Sequence, residues 1–499
     1  MRKMNVLSIL CFVLALACSA LAQGTSGVND GELKGDYAFS FDGMTTGGSG
    51  ASTPFAAVGR FTADGAGNLL NGELDSNGIG SMEKAIALAF NGTYSVGADQ
   101  RGVMSLNIPG GGTLAFAMMA NGNAKFVEID ASGGHGSVGS GSMAKVDTIA
   151  FSTAKVIGDY AFGVVGLDQS NNRTAVAGRF TASGSGMLSN GSADVNQSGT
   201  FTTLNLFVGT YMVTDTATGR GIINFPPLVG GAPQNLDFVF YVVNAGKLFA
   251  METDAVSPLT PLLNGTVLQQ QTPVGGFSSA SLHGNTVVSL TGRAICTGGA
   301  NAAPNVIAGL LSTDGIGIAD LTYDQNCGGR SGSVTGLSGT FSIAANGRAA
   351  FRLGGAYLAA YLTGSNQAFF IVPDGSVLFG FGEAQATGPL TDSAITGRYA
   401  GSATTPAALG VNIFSGEFTA DGSTPTGNLS GTEDIGAPSG PRLAVTVNAT
   451  YSVSSTPTNG RGVLTGNAWG NGVVYVVSTT KFVVLSLNDS NPAVMMFEQ

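Results

Sequence analysis

The chain has 499 residues, with 21 basic and 31 acidic side chains and a formal net charge of −10 at pH 7. Hydrophobic residues make up 43% of it and charged residues 10%, and there are 77 glycines. A disordered chain shows the opposite balance of charge and hydrophobicity, and an acidic, charge-poor surface disfavours nucleic acid or anionic lipid as a partner. We therefore expect a folded, glycine-punctuated protein that binds no nucleic acid.

The N-terminus has the pattern of a secretory signal. Arg2 and Lys3 precede an apolar run over residues 6–17 and the small-residue cleavage site Ala20-Leu21-Ala22. We expect residues 1–22 to be a signal peptide, with cleavage before Gln23 and a mature protein that is secreted or held at the cell surface. The alternative is a lipoprotein anchored through Cys18. No later stretch is apolar for the length that a transmembrane helix needs.

A motif with four steps recurs along the chain, at a period of about 120 residues. The steps are Gly-x-Tyr, Gly-x-Phe, Gly-Thr-Tyr and Arg-Gly. The first step is found at Gly35-Asp36-Tyr37, Gly158-Asp159-Tyr160 and Gly397-Arg398-Tyr399, with a degenerate copy near His283-Gly284-Asn285. The third step is found at Gly92-Thr93-Tyr94, Gly209-Thr210-Tyr211, Gly339-Thr340-Phe341 and Ala449-Thr450-Tyr451. The pattern predicts four repeats over residues 31–148, 154–271, 277–386 and 394–499.

Each repeat reads as a series of short strands. Tyr37, Phe39 and Phe41 alternate with smaller or polar residues, which is the period of a half-buried strand. Pairs such as Asp64-Gly65 supply the positive φ that tight hairpins need. Eight hairpin-linked strands lose their exposed edges when the first pairs with the last. We predict an all-β protein of four eight-stranded antiparallel up-and-down (meander) barrels in a row; the alternative is a β-sandwich of the same strands.

Two cysteines remain after removal of the signal peptide, and both lie in the third repeat. We predict that Cys296 and Cys327 form a disulfide, because an exported chain matures in an oxidising compartment. The third repeat is also the one whose Gly-x-Tyr step is degenerate, so the crosslink would compensate for a weaker barrel.

Acidic residues recur in the loops after strands three and seven, which share one rim of an up-and-down barrel. They could form a hard-cation site, most plausibly for Ca²⁺, or they could cap turns by bonding their own backbone. The candidate ligands are Asp75, Asn77, Asp130, Asp194, Asn196, Asp254, Asp324, Asn326, Asp374, Asp434 and Asp489.

The opposite rim carries arginines beside a hairpin. Asp64 and Arg101, and their equivalents in repeats three and four, are expected to form an ion pair between hairpins; repeat two has Ser183 in place of the acid. The alternative is that the arginines bind a carboxylate. We expect no catalytic residue: the two histidines, His135 and His283, occupy non-equivalent positions and are expected in surface loops, and Trp469 is expected in a core.

With these motifs laid out, the chain resembles the secreted tandem-repeat β proteins of unknown function that are common in acidobacteria. The resemblance rests on the Gly-x-Tyr and Gly-Thr-Tyr steps and on Gly59-Arg60-Phe61, and it covers essentially the mature chain. Single barrels of this size are also similar in architecture to lipocalins and avidins. The resemblance implies the fold and implies nothing about activity.

Three functions follow as hypotheses. The first is a non-enzymatic structural or adhesive module array outside the cell, with a surface polymer, a glycan or another protein as partner and no cofactor besides Ca²⁺. The second is capture of a small molecule or glycan in the barrels or at the acidic rim, and the third is a carboxylate-dependent hydrolase. A binding barrel should enclose a cavity with unpaired polar groups, whereas a structural barrel should be filled by Tyr37, Phe39, Phe61, Tyr94 and their equivalents.

Overall fold

The chain forms four closed eight-stranded antiparallel barrels, each with its strands in sequence order. The computed structural model describes residues 27–46, 52–79, 84–109, 111–130, 136–227, 235–299, 301–403 and 413–499. The predicted fold class is confirmed, as barrels and not as sandwiches. The proposed signal peptide, with Cys18, lies outside the described residues.

The strands are numbered in chain order. Barrel 1 contains β1 (Lys34–Thr46), β2 (Ser52–Asp64), β3 (Asn68–Gly78), β4 (Ala85–Val96), β5 (Arg101–Leu106), β6 (Thr113–Met118), β7 (Ala124–Glu128) and β8 (Gly136–Lys145). Barrel 2 contains β9 (Ile157–Leu167), β10 (Arg173–Ser183), β11 (Met187–Gln197), β12 (Thr200–Asp215), β13 (Arg220–Phe225), β14 (Leu236–Asn244), β15 (Lys247–Glu252) and β16 (Leu262–Gln269).

Barrel 3 contains β17 (His283–Ile295), β18 (Ala302–Asp314), β19 (Ile318–Cys327), β20 (Arg330–Ile343), β21 (Arg348–Leu353), β22 (Ala356–Gly364), β23 (Gln367–Ile371) and β24 (Val377–Ala384). Barrel 4 contains β25 (Thr396–Ala403), β26 (Ile413–Asp421), β27 (Gly427–Gly436), β28 (Arg442–Val453), β29 (Arg461–Gly466), β30 (Gly470–Ser478), β31 (Lys481–Ser486) and β32 (Val494–Glu498).

Short 3₁₀ turns precede the first strand of each barrel, at Asp30–Glu32, Thr148–Ala150, Thr153–Lys155, Ser279–Ser281 and Asp392–Ala394. In the part of the chain that the structure describes, no helix has the length and apolar character needed to cross a membrane.

The Gly-Thr-Tyr step closes one end of a barrel. The Tyr94 hydroxyl accepts a hydrogen bond from the Gly65 N–H at 2.9 Å and donates one to the Leu33 carbonyl at 2.7 Å, which ties two loops together. Residue 92 is glycine because a Cβ there would overlap the Ser105 carbonyl oxygen. Tyr211 and Tyr451 make the same bonds in barrels 2 and 4, while barrel 3 has Phe341 at this place and lacks the hydroxyl.

The four barrels form a closed ring. The face made by the first two strands of each barrel packs on strands six and seven of the next barrel, as β1 and β2 do on β14 and β15. Barrel 4 packs in the same way on barrel 1, through β25 and β26 against β6 and β7. The expectation of a row of barrels is therefore wrong. A cavity of about 370 Å³, lined by residues of all four barrels, lies where they converge.

These contacts bury the outer as well as the inner face of the strands. Tyr37 points into barrel 1, and the next residue, Ala38, is also fully buried, because it packs on Val239 and Tyr241 of barrel 2. The same small residues recur at the next junction, where Ala161 and the β10 alanines meet barrel 3. The prediction of half-buried strands is thus wrong for the faces that form the ring.

The predicted disulfide is confirmed. Cys296 and Cys327 are bonded, with their Cα atoms 5.6 Å apart, and they join the end of β17 to the end of β19. The bond crosslinks two ends of barrel 3 that are 31 residues apart in sequence.

We expect removal of this crosslink to destabilise barrel 3 more than the other barrels. In the chain-entropy model, a loop of this length contributes about 3–4 kcal/mol to the free energy of unfolding. Replacing both cysteines by serine should raise amide hydrogen exchange in barrel 3, with barrels 1 and 2 of the same molecule as the internal control. Unchanged exchange in barrel 3 would contradict a stabilising role.

Candidate functional site

The aspartates predicted after strand three lie at the junctions between barrels. Asp75 is 1% exposed and accepts two hydrogen bonds from the guanidinium of Arg220 in barrel 2, at 2.8 and 2.7 Å. The Tyr241 hydroxyl donates a third at 2.8 Å. A bidentate guanidinium–carboxylate pair of this kind combines charge with fixed geometry. Asp75 therefore joins barrel 1 to barrel 2.

The next two junctions repeat the bidentate pair, and the second of them also repeats the bond from tyrosine; at the first, the hydroxyl of the equivalent Tyr361 has no hydrogen-bond partner among the described residues. Arg348 donates to Asp194 at 2.8 and 2.9 Å, and Arg461 donates to Asp324 at 2.8 Å twice. The Tyr475 hydroxyl adds a bond of 2.6 Å to Asp324. Burial opposes ionisation of Asp324, but the bonds from Arg461, Ser333 and Tyr475 outweigh it and hold its pKa below the ordinary value.

The asparagine two positions after each of these aspartates binds the loop after strand seven of the following barrel. The Asn77 amide donates to the carbonyls of Glu252 and Asp254 at 3.0 and 2.8 Å. The Asn196 amide donates to Val372, Asp374 and Ser376, and the Asn326 amide to Ser486 and Asp489. The two acidic loops predicted to meet within one barrel thus meet across the junctions instead.

The junction that closes the ring differs from the other three. Arg101 donates to Asp434 at 2.7 Å through one nitrogen and to Asp99 of its own hairpin at 2.9 Å through another. Burial raises the pKa of Asp434 in spite of Arg101. Gly436 stands where the other barrels have asparagine, since a Cβ there would lie 2.5 Å from the carbonyl oxygen of Glu128.

The ion pairs expected inside each repeat are wrong. Asp64 instead accepts hydrogen bonds from the N–H groups of Ala66 and Asn68 and so caps its own turn. Arg101 pairs with Asp99 of its own hairpin and with Asp434 of barrel 4, so the arginine and not Asp64 takes part in the contact between barrels.

The aspartates after strand seven accept backbone N–H groups near their own loops. Asp130 accepts from Thr113, Asp254 from Asp237, Asp374 from Ser376 and Asp489 from Asn491. Within the described ranges, no three His, Cys, Asp or Glu side chains are grouped so as to hold a metal ion. Binding of Ca²⁺ by these residues stays an untested prediction.

The sequence analysis also placed the two histidines in surface loops and Trp469 in a core. His283 is exposed at the start of β17, and His135 lies outside the described residues. Trp469 is partly buried against the core of barrel 4, where it stacks on Phe414 at 5.4 Å and donates to Glu433 at 3.0 Å.

We expect Arg101→Leu to open the ring between barrels 4 and 1. The side chains of Arg101 and Asp434 are 4% and 1% exposed, and loss of one partner leaves a buried charge, which typically costs about 3–5 kcal/mol. Small-angle scattering should show a larger radius of gyration or an extended shape, while the exposed Lys155→Ala variant stays compact. A compact Arg101→Leu protein with an unchanged melting midpoint would contradict the role of this pair.

A second buried acid lies in barrel 4 near the closing junction. Glu417 is 6% exposed, and burial raises its pKa to about 8; Arg398 and Arg101 oppose this shift, and Asp99 adds to it. In barrels 1 and 2, an arginine at this position of strand two, Arg60 or Arg179, pairs with an aspartate on strand one. In barrel 4 the charges are exchanged, because Glu417 on strand two pairs with Arg398 on strand one.

Glu417 should make stability depend on pH. Its folded-state pKa is raised, so its contribution is full below the unfolded pKa, near 4.3, and is lost as pH rises towards about 8. The melting midpoint of Glu417→Gln should therefore fall less between pH 5 and 8 than that of the wild type. The exposed Glu32→Gln variant is the control, and parallel pH profiles for all three proteins would refute the expectation.

Three of the four barrels are filled by aromatic side chains. In barrel 1, Tyr37 and Phe61 face each other on β1 and β2, with ring centroids 5.6 Å apart. Tyr160 and Phe180 do the same in barrel 2 at 5.7 Å. In barrel 4, Phe418, Phe482, Phe497 and Trp469 form a continuous aromatic cluster.

Barrel 3 has lost this aromatic pair. Thr286 and Leu311 occupy the positions of Tyr37 and Phe61, and Val288 occupies that of Phe39. These side chains are smaller, and the barrel encloses a cavity of about 510 Å³.

The cavity is mainly apolar and carries a few polar groups. Seven leucines line it: Leu290, Leu311, Leu321, Leu337, Leu353, Leu358 and Leu378. Asn305, Tyr323 and Gln325 are polar side chains of the strands that line it nearer the mouth. Asn305 is 4% exposed, and its side-chain oxygen has no hydrogen-bond partner among the described residues.

The mouth of the cavity lies at the loops after strands one, five and seven. Ile295 and Tyr357 line it while being 66% and 48% exposed, so apolar surface leads from solvent to the interior. The Cys296–Cys327 bond borders the same mouth. The sequence signal for this site was the degenerate Gly-x-Tyr step, which we interpreted only as a loss of stability; Leu311 in place of the phenylalanine of the other repeats is a second signal.

Barrel 4 has a smaller cavity of about 230 Å³ beside Trp469 and Glu433. Burial raises the pKa of Glu433 to about 7, while the hydrogen bond from Trp469 lowers it. The amide of Asn467, which also borders this cavity, is already bonded to the backbone of Thr446 and Asn448.

No protein-family model matches the chain, and no curated protein matches it. Among solved structures, a protein of unknown function from the DUF3598 family of Nostoc punctiforme is 9% identical, with 60% of this chain and 97% of that chain covered and a TM-score of 0.15.

Two forms of transferrin binding protein B are also similar. A double mutant of the vaccine antigen from Haemophilus parasuis is 11% identical over 92% of this chain and 94% of that chain, with a TM-score of 0.20. The isotype 1 protein from Neisseria meningitidis is 11% identical over 75% and 83%, with a TM-score of 0.18. Scores this low carry no argument, so the function must be inferred from the geometry of this chain.

Proposed function

We propose that this protein binds a small, mainly apolar molecule inside barrel 3 and does so outside the cytoplasm, without a catalytic step. The observation that carries the proposal is the cavity of about 510 Å³ in barrel 3, where the aromatic pair of barrels 1 and 2 is missing; the cavity of barrel 4 is smaller, at about 230 Å³. Ligand pockets typically have volumes of about 300–1,000 Å³, apolar walls and a few polar groups that orient the ligand. The predicted signal peptide and the disulfide support a place outside the cytoplasm.

The ring supports this function by holding the mouth of the cavity. The Asn196 amide of barrel 2 donates to the carbonyls of Val372, Asp374 and Ser376, which belong to the loop that borders the mouth. The disulfide fixes the opposite loops. A mouth that is already ordered costs little conformational entropy when a ligand binds, and this favours affinity.

A structural or adhesive scaffold outside the cell is the second candidate. The observation that favours it is the closed ring, in which barrels 1, 2 and 4 have aromatic side chains packed in their interiors. The two candidates differ in what they require of barrel 3, since a scaffold gains nothing from a hollow barrel. Buried cavities lower stability roughly in proportion to their volume.

Refilling barrel 3 should abolish binding. The double variant Val288→Phe/Leu311→Phe restores the aromatic residues of barrels 1 and 2 at two positions that line the cavity. The wild type should bind the neutral fluorophore N-phenyl-1-naphthylamine saturably, at one site per chain, and the double variant should not. Its melting midpoint should be equal to or above that of the wild type, because the void is filled.

Ile222→Phe is the matched control, since it adds an aromatic ring to the exposed outer face of barrel 2. It should bind the fluorophore as the wild type does. If the double variant does not fold, Leu311→Phe alone serves the same purpose. Failure of the wild type to bind, or unchanged binding in a folded refilled variant, would refute the proposal and leave the scaffold.

A further inference from the structure

We infer that the ligand of barrel 3 is an uncharged amphiphile whose single polar group, near the mouth, donates a hydrogen bond to Asn305 while its apolar body lies deeper in the barrel. This inference rests on the proposed function and specifies the chemistry that the cavity selects. Three features of the wall support it: the unpaired amide oxygen, the charges at the lining, and the distribution of polar residues along the strands.

The first feature is the amide of Asn305. In barrels 1 and 2, the equivalent positions on strand two are held by Phe55 and Thr174, each of which faces the glycine that pairs with it on strand one. Phe55 packs on Phe41 and fills its barrel, but Asn305 leaves its oxygen buried and unpaired. Buried acceptors without a partner are rare because they lose hydration and gain nothing. A donor supplied by a ligand would satisfy this one.

The second feature is charge. Among the described residues of the lining, none is lysine or arginine, and the ionisable carboxyl group is that of Asp374 at the mouth. Its oxygen already accepts the Ser376 N–H. Burial raises the pKa of Tyr323, so this side chain is neutral at physiological pH. Two arginines lie beside the mouth but outside the lining: Arg352 stacks on Tyr357 at 5.2 Å, and Arg330 donates a hydrogen bond to the Thr297 carbonyl. A carboxylate or phosphate beside Asn305, inside the barrel, would have no counterion in the lining and would share the mouth with Asp374, and an unpaired charge in an apolar site is strongly disfavoured.

The third feature is polarity along the barrel. Asn305 lies three residues from the start of β18, close to the mouth, whereas Leu311 lies six residues further along the same strand. Strand β19 shows the same gradient, with Tyr323 and Gln325 nearer the Cys327 end and Leu321 farther from it. The polar group of the ligand therefore lies near the mouth and the apolar part lies behind it.

Three ten-carbon probes that differ only at the head separate these effects. They are 1-decanol, which donates and accepts, its isomer methyl nonyl ether, which only accepts, and decanoate, which is charged. Each is titrated against bound N-phenyl-1-naphthylamine at pH 7.5, and their dissociation constants are compared. We expect decanol to bind about five- to tenfold more tightly than the ether, which is the ratio for one neutral hydrogen bond, and decanoate to bind most weakly.

The variant Asn305→Leu tests whether the preference for decanol over the ether depends on the amide of Asn305. It keeps the number and branching of the side-chain heavy atoms and removes the acceptor, so decanol should lose its advantage over the ether. The melting midpoint should not fall, because an unpaired buried polar group is removed. Asn305→Val serves as a second variant if the first does not fold.

The outcomes separate this inference from the proposed function. If the fluorophore and all three probes fail to bind the wild type, the proposed function fails. If the probes bind but decanol and the ether are equal, or decanoate binds most tightly, barrel 3 is a binding site and the inference about its ligand is overturned. The inference is also overturned if Asn305→Leu keeps the preference for decanol.

Discussion

The ring depends on a buried aspartate–arginine pair whose two members come from different barrels. At three junctions, a strand-three aspartate accepts both arms of an arginine at the start of strand five of the next barrel. A carboxylate buried in such a contact is costly when its partner leaves, so a barrel that separates from its neighbour leaves an uncompensated charge. Because the chain of pairs closes on itself, each barrel is stabilised on both sides, and the four are expected to act as one structural unit.

This mutual support explains how barrel 3 can be hollow. It lacks the aromatic pair of barrels 1 and 2. Asn285 and Leu310 replace the aspartate and arginine that form an ion pair between strands one and two in those barrels, such as Asp36 and Arg60. Phe341 replaces the tyrosine whose hydroxyl joins two loops at the barrel end. Each loss weakens the isolated barrel. The disulfide and the contacts with barrels 2 and 4 offset these losses, so a cavity is tolerated where a free-standing barrel would need a filled core.

The barrels could be predicted from the sequence, and the ring could not. Alternation in strands such as β1, hairpin pairs such as Asp64-Gly65 and the repeated motif all act locally, and they indicate eight paired strands. The junction pairs are different, because every repeat contains both the aspartate and the arginine. Composition therefore cannot tell whether Arg220 meets an acid of its own repeat or Asp75 of the preceding one. One signal did exist: Gly436 and Ala117, which replace the asparagine and the tyrosine of the other junctions, both belong to the contact between barrels 4 and 1.

The candidate site was missed for a related reason. Divergence of one repeat looks the same in sequence whether it weakens a core or creates a cavity, since both replace Phe by Leu. The difference lies in whether neighbouring side chains move into the space, and in barrel 3 they do not, because the strands are held from outside by the ring and across the mouth by the disulfide. An apolar wall gives affinity without direction, since hydrophobic burial depends on area and not on orientation. Selectivity in such a cavity must come from the few polar groups that the rigid frame keeps in place, and among the described residues of the wall Asn305 has a buried acceptor oxygen without a partner in the protein.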